Sequence, residues 1–162
     1  MALPNSSCAS AAEVTMETNF QRAGAISNTH VGREFEEASR LFFAKTGIAL
    51  QPRFTVEVGF KTKHPHAFDL GSDNPPILVE CKSYTWTSGG NSPSAKIRSL
   101  NEVMLLFSVA PAGYRKILFL LKHLRRDVSL GSHYIKTQGH LIGPDVEIWE
   151  FDAETKMGER IL

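Results

Sequence analysis

Two apolar segments constrain the fold of this chain more than any other feature. Residues 77–83 (ILVECKS) and 115–121 (RKILFLL) are short and largely apolar, as strands buried on both faces of a sheet are. Between them, Pro93 stands in the first turn of a predicted helix after Ser92 as its cap. The apolar face of that helix comprises Ile97, Leu100, Val103, Met104 and Phe107. A strand, a helix and a second strand in this order predict a crossover in an α/β sheet.

Other elements follow from periodicity and turn residues. A helix is predicted over residues 29–46, with Val31, Phe35, Ala38 and Phe42 on one face. Further predictions, in chain order, are a strand at 53–60, a short strand at 67–70, a turn at 71–76, a basic loop at 123–131, a weak helix at 132–141 and an edge-like strand at 146–151. The predicted fold is therefore α/β, with a central mixed β-sheet flanked by helices in the order αβββαβ(α)β.

The 162 residues suffice for one domain. Residues 1–27 are rich in small and polar side chains and are predicted to form a flexible N-terminal arm, so residues 28–162 form a single domain. Cys8 and Cys81 lie in unlike contexts, which favours a reducing cytoplasm over a disulfide framework. Because no apolar run reaches membrane-span length, we expect no membrane association.

Positive charge is concentrated in the middle of the chain. Residues 81–140 contain nine Lys and Arg against two Asp and Glu, although the net charge of the whole chain is only +1. Such a block can bind a polyanion such as nucleic acid. It is equally compatible with an uneven, solvated surface.

Glu80 and Lys82 are the charged residues of the first apolar segment. Side chains alternate along a strand, so these two share a face while Val79 and Cys81 take the other. Asp69, on the preceding strand, can lie beside Glu80. Two adjacent carboxylates repel unless a cation sits between them, and Mg²⁺ binds through one or two carboxylates. The alternative is a structural ion pair at the strand end.

A second copy of the same spacing serves as an internal comparison. Glu154 and Lys156 also stand two residues apart, but they lie in a polar tail beyond the last predicted strand. We interpret that copy as a solvated charge pair. The context of residues 80–82, and not the tripeptide itself, points to a site.

Three short motifs, residues 32–36 (GREFE), Phe68-Asp69 and residues 79–82 (VECK), occur in this order. Together they resemble the PD-(D/E)XK nuclease superfamily, over residues 29–121, with Phe68 standing where the motif name has Pro. The resemblance implies a restriction endonuclease-like core and a Mg²⁺-dependent endodeoxyribonuclease, with Mn²⁺ able to substitute. It further implies 5′-phosphate and 3′-hydroxyl ends. Because one such domain cuts one strand, double-strand cleavage implies a homodimer.

The resemblance also implies residue roles. Asp69 and Glu80 would ligate the metal together with the backbone carbonyl of Cys81, and Lys82 would orient the attacking water. Glu36 would reach the metal through water. Helical geometry alone does not choose Glu36 over Glu34 or Glu37.

Candidate DNA contacts follow the catalytic motif. They comprise Tyr84, Trp86 and Asn91 in the loop, Lys96 and Arg98 on the next helix, and Lys122, Arg125 and Arg126 after the fourth strand. Alternatively, Trp86 packs on the sheet edge and the basic side chains are solvated. His64 and His66 lack the further ligands that a zinc site needs.

The predicted activity is a type II-like restriction endonuclease acting on double-stranded DNA, without a small-molecule cofactor. Three alternatives remain. One is a Holliday-junction resolvase or DNA-repair nuclease; a resolvase usually carries more positive charge than this chain. The second is a non-catalytic DNA-binding or assembly module of the same fold. The third is a catalytic domain that needs partner subunits for targeting.

Overall fold

The computed structural model describes residues 28–87 and 93–162. The elements are α1 (Asn28–Lys45), β1 (Gln51–Val58), β2 (His64–Asp73), β3 (Pro76–Lys82), α2 (Ser94–Val109), β4 (Arg115–Leu121), β5 (Leu124–Arg125), β6 (Val128–Ser129), α3 (Leu130–Gln138), β7 (Val146–Asp152) and β8 (Met157–Arg160). A 3-10 turn, Gly139–Leu141, follows α3. The predicted arm at 1–27, the predicted cap Ser92 and the candidate contact Asn91 lie outside the described residues.

Six strands form a mixed sheet in the order β1-β2-β3-β4-β7-β8. The central strands β3, β4 and β7 are parallel, and the outer pairs β1–β2, β2–β3 and β7–β8 are antiparallel. Strands β5 and β6 form a separate two-stranded hairpin. The α/β class, the mixed sheet and the crossover through α2 are therefore confirmed.

The sheet buries a hydrophobic cluster on each face. On one face, Phe35 and Phe43 of α1 pack on Val79, Ile117 and other strand residues. On the opposite face, residues of α2 and Tyr134 of α3 pack on alternate positions of the same strands. Helices thus cover both faces, as parallel central strands require. Among the described residues, no helix is both long and apolar enough to cross a membrane.

The buried stripe of α1 differs from the predicted one. Phe35, Ser39 and Phe43 are buried at four-residue spacing, whereas Val31 is 37% exposed. The Ser39 hydroxyl donates to the Phe35 carbonyl (2.7 Å), so a polar side chain can occupy this apolar face. The strand predicted at 53–60 also ends earlier. Strand β1 ends at Val58, and Phe60, which lies beyond it, is 77% exposed.

The predicted edge strand at 146–151 is not an edge. Strand β8 pairs with it, from Trp149–Arg160 to Asp152–Met157. A Cβ at Gly158 would stand 2.5 Å from the Phe42 ring, so glycine is needed where β8 passes α1. The predicted basic loop at 123–131 is partly the β5–β6 hairpin, and α3 begins at Leu130 instead of residue 132.

Folding also redistributes the charge of the basic segment. Arg115 donates to Glu147 (2.6 Å) and Lys116 to Asp145 (2.6 Å), both acids belonging to the acidic segment 141–162. These ion pairs lie where β4 begins, at the end of the sheet opposite to Lys82. The excess counted along the sequence therefore overstates the positive charge available near residues 69–82.

Candidate active site

The candidate site lies where strands β2 and β3 separate. Their ladder runs from Asp73–Pro76 to Leu70–Val79 and does not include Asp69. Strand β1 pairs with β2 on both sides of Asp69 but not at it, and the facing residue Arg53 has a left-handed φ of 53°. Phe68 packs in one core cluster and Leu70 in the other. Since residues two apart normally share a face, the alternation breaks at Asp69.

This break lets the Asp69 side chain take the place of a backbone acceptor. Its Oδ2 accepts a hydrogen bond of 2.8 Å from the Cys81 N–H on β3. The N–H and C=O of one strand residue point toward the same edge. The Cys81 carbonyl is therefore directed into the opening that Asp69 occupies, as a metal ligand would have to be.

Lys82 lies between two carboxylates. Its Nζ donates to Glu80 Oε2 at 2.7 Å and stands 3.6 Å from Asp69 Oδ2. Glu80 is only 5% exposed. The expected neighbourhood of Asp69, Glu80 and Lys82 is thus present, and the ammonium occupies the position between the acids.

The surroundings of Glu80 favour its protonated, neutral form. Burial, followed by the charge of Asp69, raises the pKa of Glu80 to about 7, although Lys82 acts in the opposite direction. Burial by itself would lower the pKa of Lys82, but Glu80 and Asp69 outweigh it and the net shift is upward. The Lys82 ammonium therefore offsets only part of the upward shift in the pKa of Glu80 that burial and Asp69 cause.

Glu36 is distinguished from the other two α1 acids by its position. It lines a cleft of about 510 Å³ together with Arg33, Arg53 and Asp69. Burial, then the charge of Asp69, raises the pKa of Glu36.

The other two acids have partners on the helix surface. Glu34 lies 3.4 Å from His30, and Glu37 binds Arg40 through both carboxylate oxygens. Of the three α1 acids, Glu36 is therefore the one that shares a cleft with Asp69.

His66 belongs to the site, although the sequence suggested only a weak zinc motif for it. Its Nε2 is buried, makes no hydrogen bond among the described residues and stands 3.5 Å from Glu80 Oε1. The imidazole also meets Phe68 edge-on, with ring centroids 4.7 Å apart. Two-residue alternation from Phe68 could have indicated this, because it places His66 on the same face of β2. His64, by contrast, is exposed.

The donor atoms of the site are of the kind that a hard divalent cation binds. The Asp69 and Glu80 carboxylates flank Lys82, and the Cys81 carbonyl faces the same edge of β3 as its N–H, which binds Asp69; such oxygen donors are the ones that Mg²⁺ prefers. Burial and then the charge of Asp69 raise the pKa of Glu80, and a bound cation would act in the opposite direction. No group of three or more His, Cys, Asp or Glu side chains among the described residues is already arranged around a metal position. The residues fit Mg²⁺ in donor type and charge. Because the Lys82 ammonium lies between the two carboxylates, it would have to move aside when the ion binds.

The segment after β3 forms a wall beside the site. Tyr84 Oη shares a 2.9 Å hydrogen bond with Ser99 Oγ on α2. Lys96 Nζ donates to the Thr85 carbonyl at 2.5 Å and lies 5.9 Å from the Tyr84 ring centroid. Lys96 therefore holds the loop in place, and its ammonium faces protein atoms.

The remaining candidate contacts lie further along the same surface. Trp86, Arg125 and Arg126 line one cleft, and Arg98 lines a second cleft between α2 and α3. Lys122 follows β4 and its backbone N–H donates to the Phe151 carbonyl at 2.8 Å. Trp86 does not pack on the sheet edge, since it contacts the β5–β6 hairpin and α3.

A scan against models of protein families finds no match, and searches of curated proteins and of solved structures find no significant match.

Proposed function

We propose that this protein is a Mg²⁺-dependent endodeoxyribonuclease with a restriction endonuclease-like core. One observation carries the proposal. Asp69 and Glu80 converge with Lys82 at the point where β2 leaves β3, and Asp69 reaches that point through a break in strand alternation. A purely structural ion pair would need neither the second carboxylate nor the break.

The cost of this arrangement supports a functional role. Burying charged groups is unfavourable, and apolar replacements of buried ion pairs are often neutral or stabilising. Glu80 lies at 5% exposure beside Asp69, and its raised pKa reflects that cost. Function is a sufficient reason for a fold to retain such a group.

Each residue has a role in phosphodiester hydrolysis under this proposal. Asp69, Glu80 and the Cys81 carbonyl would hold Mg²⁺, and Glu36 would act through an intervening water. When bound, the ion neutralises phosphate charge and lowers the pKa of water. Lys82 would donate a hydrogen bond to the attacking water or to a phosphate oxygen, which positions the oxygen for in-line attack on phosphorus. A bond from the water oxygen to phosphorus would form as the P–O bond to the leaving oxygen breaks; the attacking water would release one proton to solvent, and the leaving oxygen would take one up.

DNA is the proposed substrate because basic and aromatic side chains continue from the site along one surface. Arg98, Arg125 and Arg126 line clefts adjoining the loop after Lys82, as phosphate-binding groups would. A homodimer is proposed for double-strand cleavage, since one site hydrolyses one strand. Mn²⁺ is expected to replace Mg²⁺. The cytoplasm is the proposed location on cysteine usage, and Cys81 is a buried free thiol.

A junction resolvase or repair nuclease is the second candidate. One observation favours it over a restriction enzyme. The cleft lined by Trp86, Arg125 and Arg126 contains an aromatic ring, which suits an unpaired base better than a duplex.

The test is cleavage of supercoiled plasmid, methylated and unmethylated, and of four-way junctions, with Mg²⁺ or with EDTA. Wild type is expected to cut at least one of these with Mg²⁺ only, and Lys82→Ala is expected to lose at least about a hundredfold in rate. Lys156→Ala is the matched control, because it removes the lysine of the second Glu-x-Lys copy, which is exposed.

Discrete fragments would indicate a restriction enzyme, and cutting of junctions alone would indicate a resolvase. If wild type leaves every DNA intact, the nuclease proposal fails and a binding module is the remaining candidate. If Lys82→Ala cuts as fast as Lys156→Ala, the assigned site is wrong.

A further inference from the structure

Trp86 is held as a fixed platform four residues after Lys82. Its backbone N–H donates to His123 Nδ1 at 3.1 Å, and its indole Nε1 donates to the Val128 carbonyl at 3.3 Å. Both partners follow β4 in the chain, so the loop after β3 is tied to the segment after β4. Orienting an aromatic ring in advance lowers the entropic cost of stacking a ligand on it.

The Trp86 cleft is open to solvent and has a volume of about 290 Å³. The His133 ring of α3 lies 4.9 Å from the Trp86 ring, and the Arg125 guanidinium carbon lies 5.6 Å from it. Arg126 and Val128 complete the lining. The volume is at the low end for small-ligand sites, which suits one planar heterocycle. An aromatic ring with guanidinium and imidazole groups around it matches a nucleobase attached to a phosphate chain.

The cleft lies close to the candidate active site. Lys82 pairs with Leu120 in the sheet, and His123 follows Leu120 by three residues. Along the chain, Trp86 follows Lys82 by four residues, which span at most about 14 Å. That length equals about four base steps of B-DNA at roughly 3.4 Å each. A strand whose phosphate lies at Lys82 can therefore place a nearby base in the Trp86 cleft.

A second cleft adjoins the first. His133 lines both clefts, and the second, of about 500 Å³ between α2 and α3, is also lined by Arg98 and Asn101. The two clefts are therefore neighbours, with the Trp86 ring in the first and arginine side chains in both. A groove that alternates stacking and phosphate-binding groups is typical of single-strand recognition.

We propose that the Trp86 cleft binds an unpaired nucleobase, so that the preferred substrate is DNA with an unpaired nucleotide within about four base steps of the scissile phosphate. This inference rests on the proposed nuclease function for its substrate. In a duplex both faces of each base are covered by neighbouring pairs, and a ring inside a cleft cannot reach them. Only an extruded or single-stranded base can stack on Trp86.

The experiment measures equilibrium binding in EDTA by fluorescence anisotropy, so cleavage plays no part. Three probes are compared: a short intact duplex, the same duplex with one extra unpaired thymidine, and the same bulge with an abasic nucleotide. Wild type is expected to bind the thymidine bulge about tenfold or more tightly than either other probe, as loss of base–aromatic stacking would predict.

Trp86→Ala is expected to bind the thymidine bulge and the abasic bulge equally, and Trp86→Phe to retain most of the preference. Trp149→Phe is the matched control, because Trp149 packs against Phe42 and Phe43 in the cluster on the α1 face of the sheet. Circular dichroism checks folding, and Arg125→Gln, expected to weaken the thymidine preference, is a second probe of the cleft if Trp86→Ala is unfolded.

Equal binding of the three probes by wild type, or an undiminished thymidine preference in Trp86→Ala, would overturn the inference. The two proposals fail separately. If cleavage depends on Lys82 but binding shows no Trp86-dependent preference, the base-binding proposal is refuted and the nuclease proposal stands. If binding shows a Trp86-dependent preference but the protein cuts no DNA, the base-binding proposal stands and the nuclease proposal is refuted.

Discussion

Replacing Glu80 by Gln is expected to change how the stability of the metal-free protein depends on pH. The Glu80 carboxyl has its pKa raised from 4.5 to about 7 by burial and by Asp69. The folded protein therefore binds this proton more tightly than the unfolded chain does. The associated stability is fully present below pH 4.5 and is lost as the pH rises through 7. Glutamine has no proton to lose, so this dependence should disappear.

The magnitude follows from the two pKa values. A difference of one pKa unit corresponds to about 1.4 kcal/mol, so the gap between 4.5 and about 7 corresponds to about 3 kcal/mol over the full titration. Between pH 5 and pH 8 the expected loss is about 2.5 kcal/mol, because part of the titration lies below pH 5. With a urea dependence of about 2 kcal/mol per M, this lowers the unfolding midpoint by about 1 M.

The assay is urea unfolding in EDTA, followed by circular dichroism, at pH 5 and pH 8. Comparing wild type with Glu80→Gln removes the contributions of other titrating groups, since both proteins share them. Glu154→Gln is the matched control, because Glu154 belongs to the second Glu-x-Lys copy and is exposed. Its midpoint is expected to change with pH as that of wild type does.

Two results would refute this reasoning. If Glu80→Gln loses as much stability from pH 5 to pH 8 as wild type, Glu80 does not carry a raised pKa in the folded protein. If Glu154→Gln also abolishes the loss, the effect belongs to general surface charge and not to burial beside Asp69.

Three further predictions concern the metal, the core and a helix cap. Mg²⁺ should raise the unfolding midpoint of wild type more at pH 8 than at pH 5, since it competes with the proton on Glu80, and should have little effect on Glu80→Gln; an equal shift in both proteins would contradict metal binding at Glu80. Phe43→Ala should cost about 3–5 kcal/mol in urea unfolding, because Phe43 is 2% exposed and its ring lies 5.1 Å from Phe119; a loss under 1 kcal/mol would mean that α1 is not docked as described. Ser129→Ala should cost about 1 kcal/mol in the same assay, because its hydroxyl accepts from the Ser132 N–H at the start of α3; an unchanged midpoint would show that this cap is dispensable.

The elements predicted most accurately from the sequence are the two continuous apolar segments. The fourth strand was predicted at 115–121 and runs from Arg115 to Leu121, and the third differs by one residue at each end. Strand β8 escaped prediction because Met157–Arg160 is short and mostly exposed. It forms because it can pair with β7 and because Gly158 leaves space for the Phe42 ring. Both are tertiary contacts that the local sequence does not reveal.

Only part of the candidate site, too, could be predicted from the sequence. Strand alternation places Glu80 and Lys82 on one face, and that part needs only the sequence. The approach of Asp69 to Cys81 depends on a break in the ladders on both sides of β2, which no local pattern encodes. The sequence did not place His66 in the site, because its contact with Glu80 joins two strands across that break.

The two outer strands of the sheet have a consequence for how copies of this chain can associate. Strand β1 contains Pro52, which cannot donate a hydrogen bond, and Arg53 turns the backbone with its left-handed φ of 53°. Strand β8 is four residues long and ends in Glu159 and Arg160. Short, charged or proline-bearing edges resist edge-to-edge pairing and aggregation. A dimer of this protein is therefore expected to bury helix or loop surface and to keep two separate sheets, not one continuous sheet.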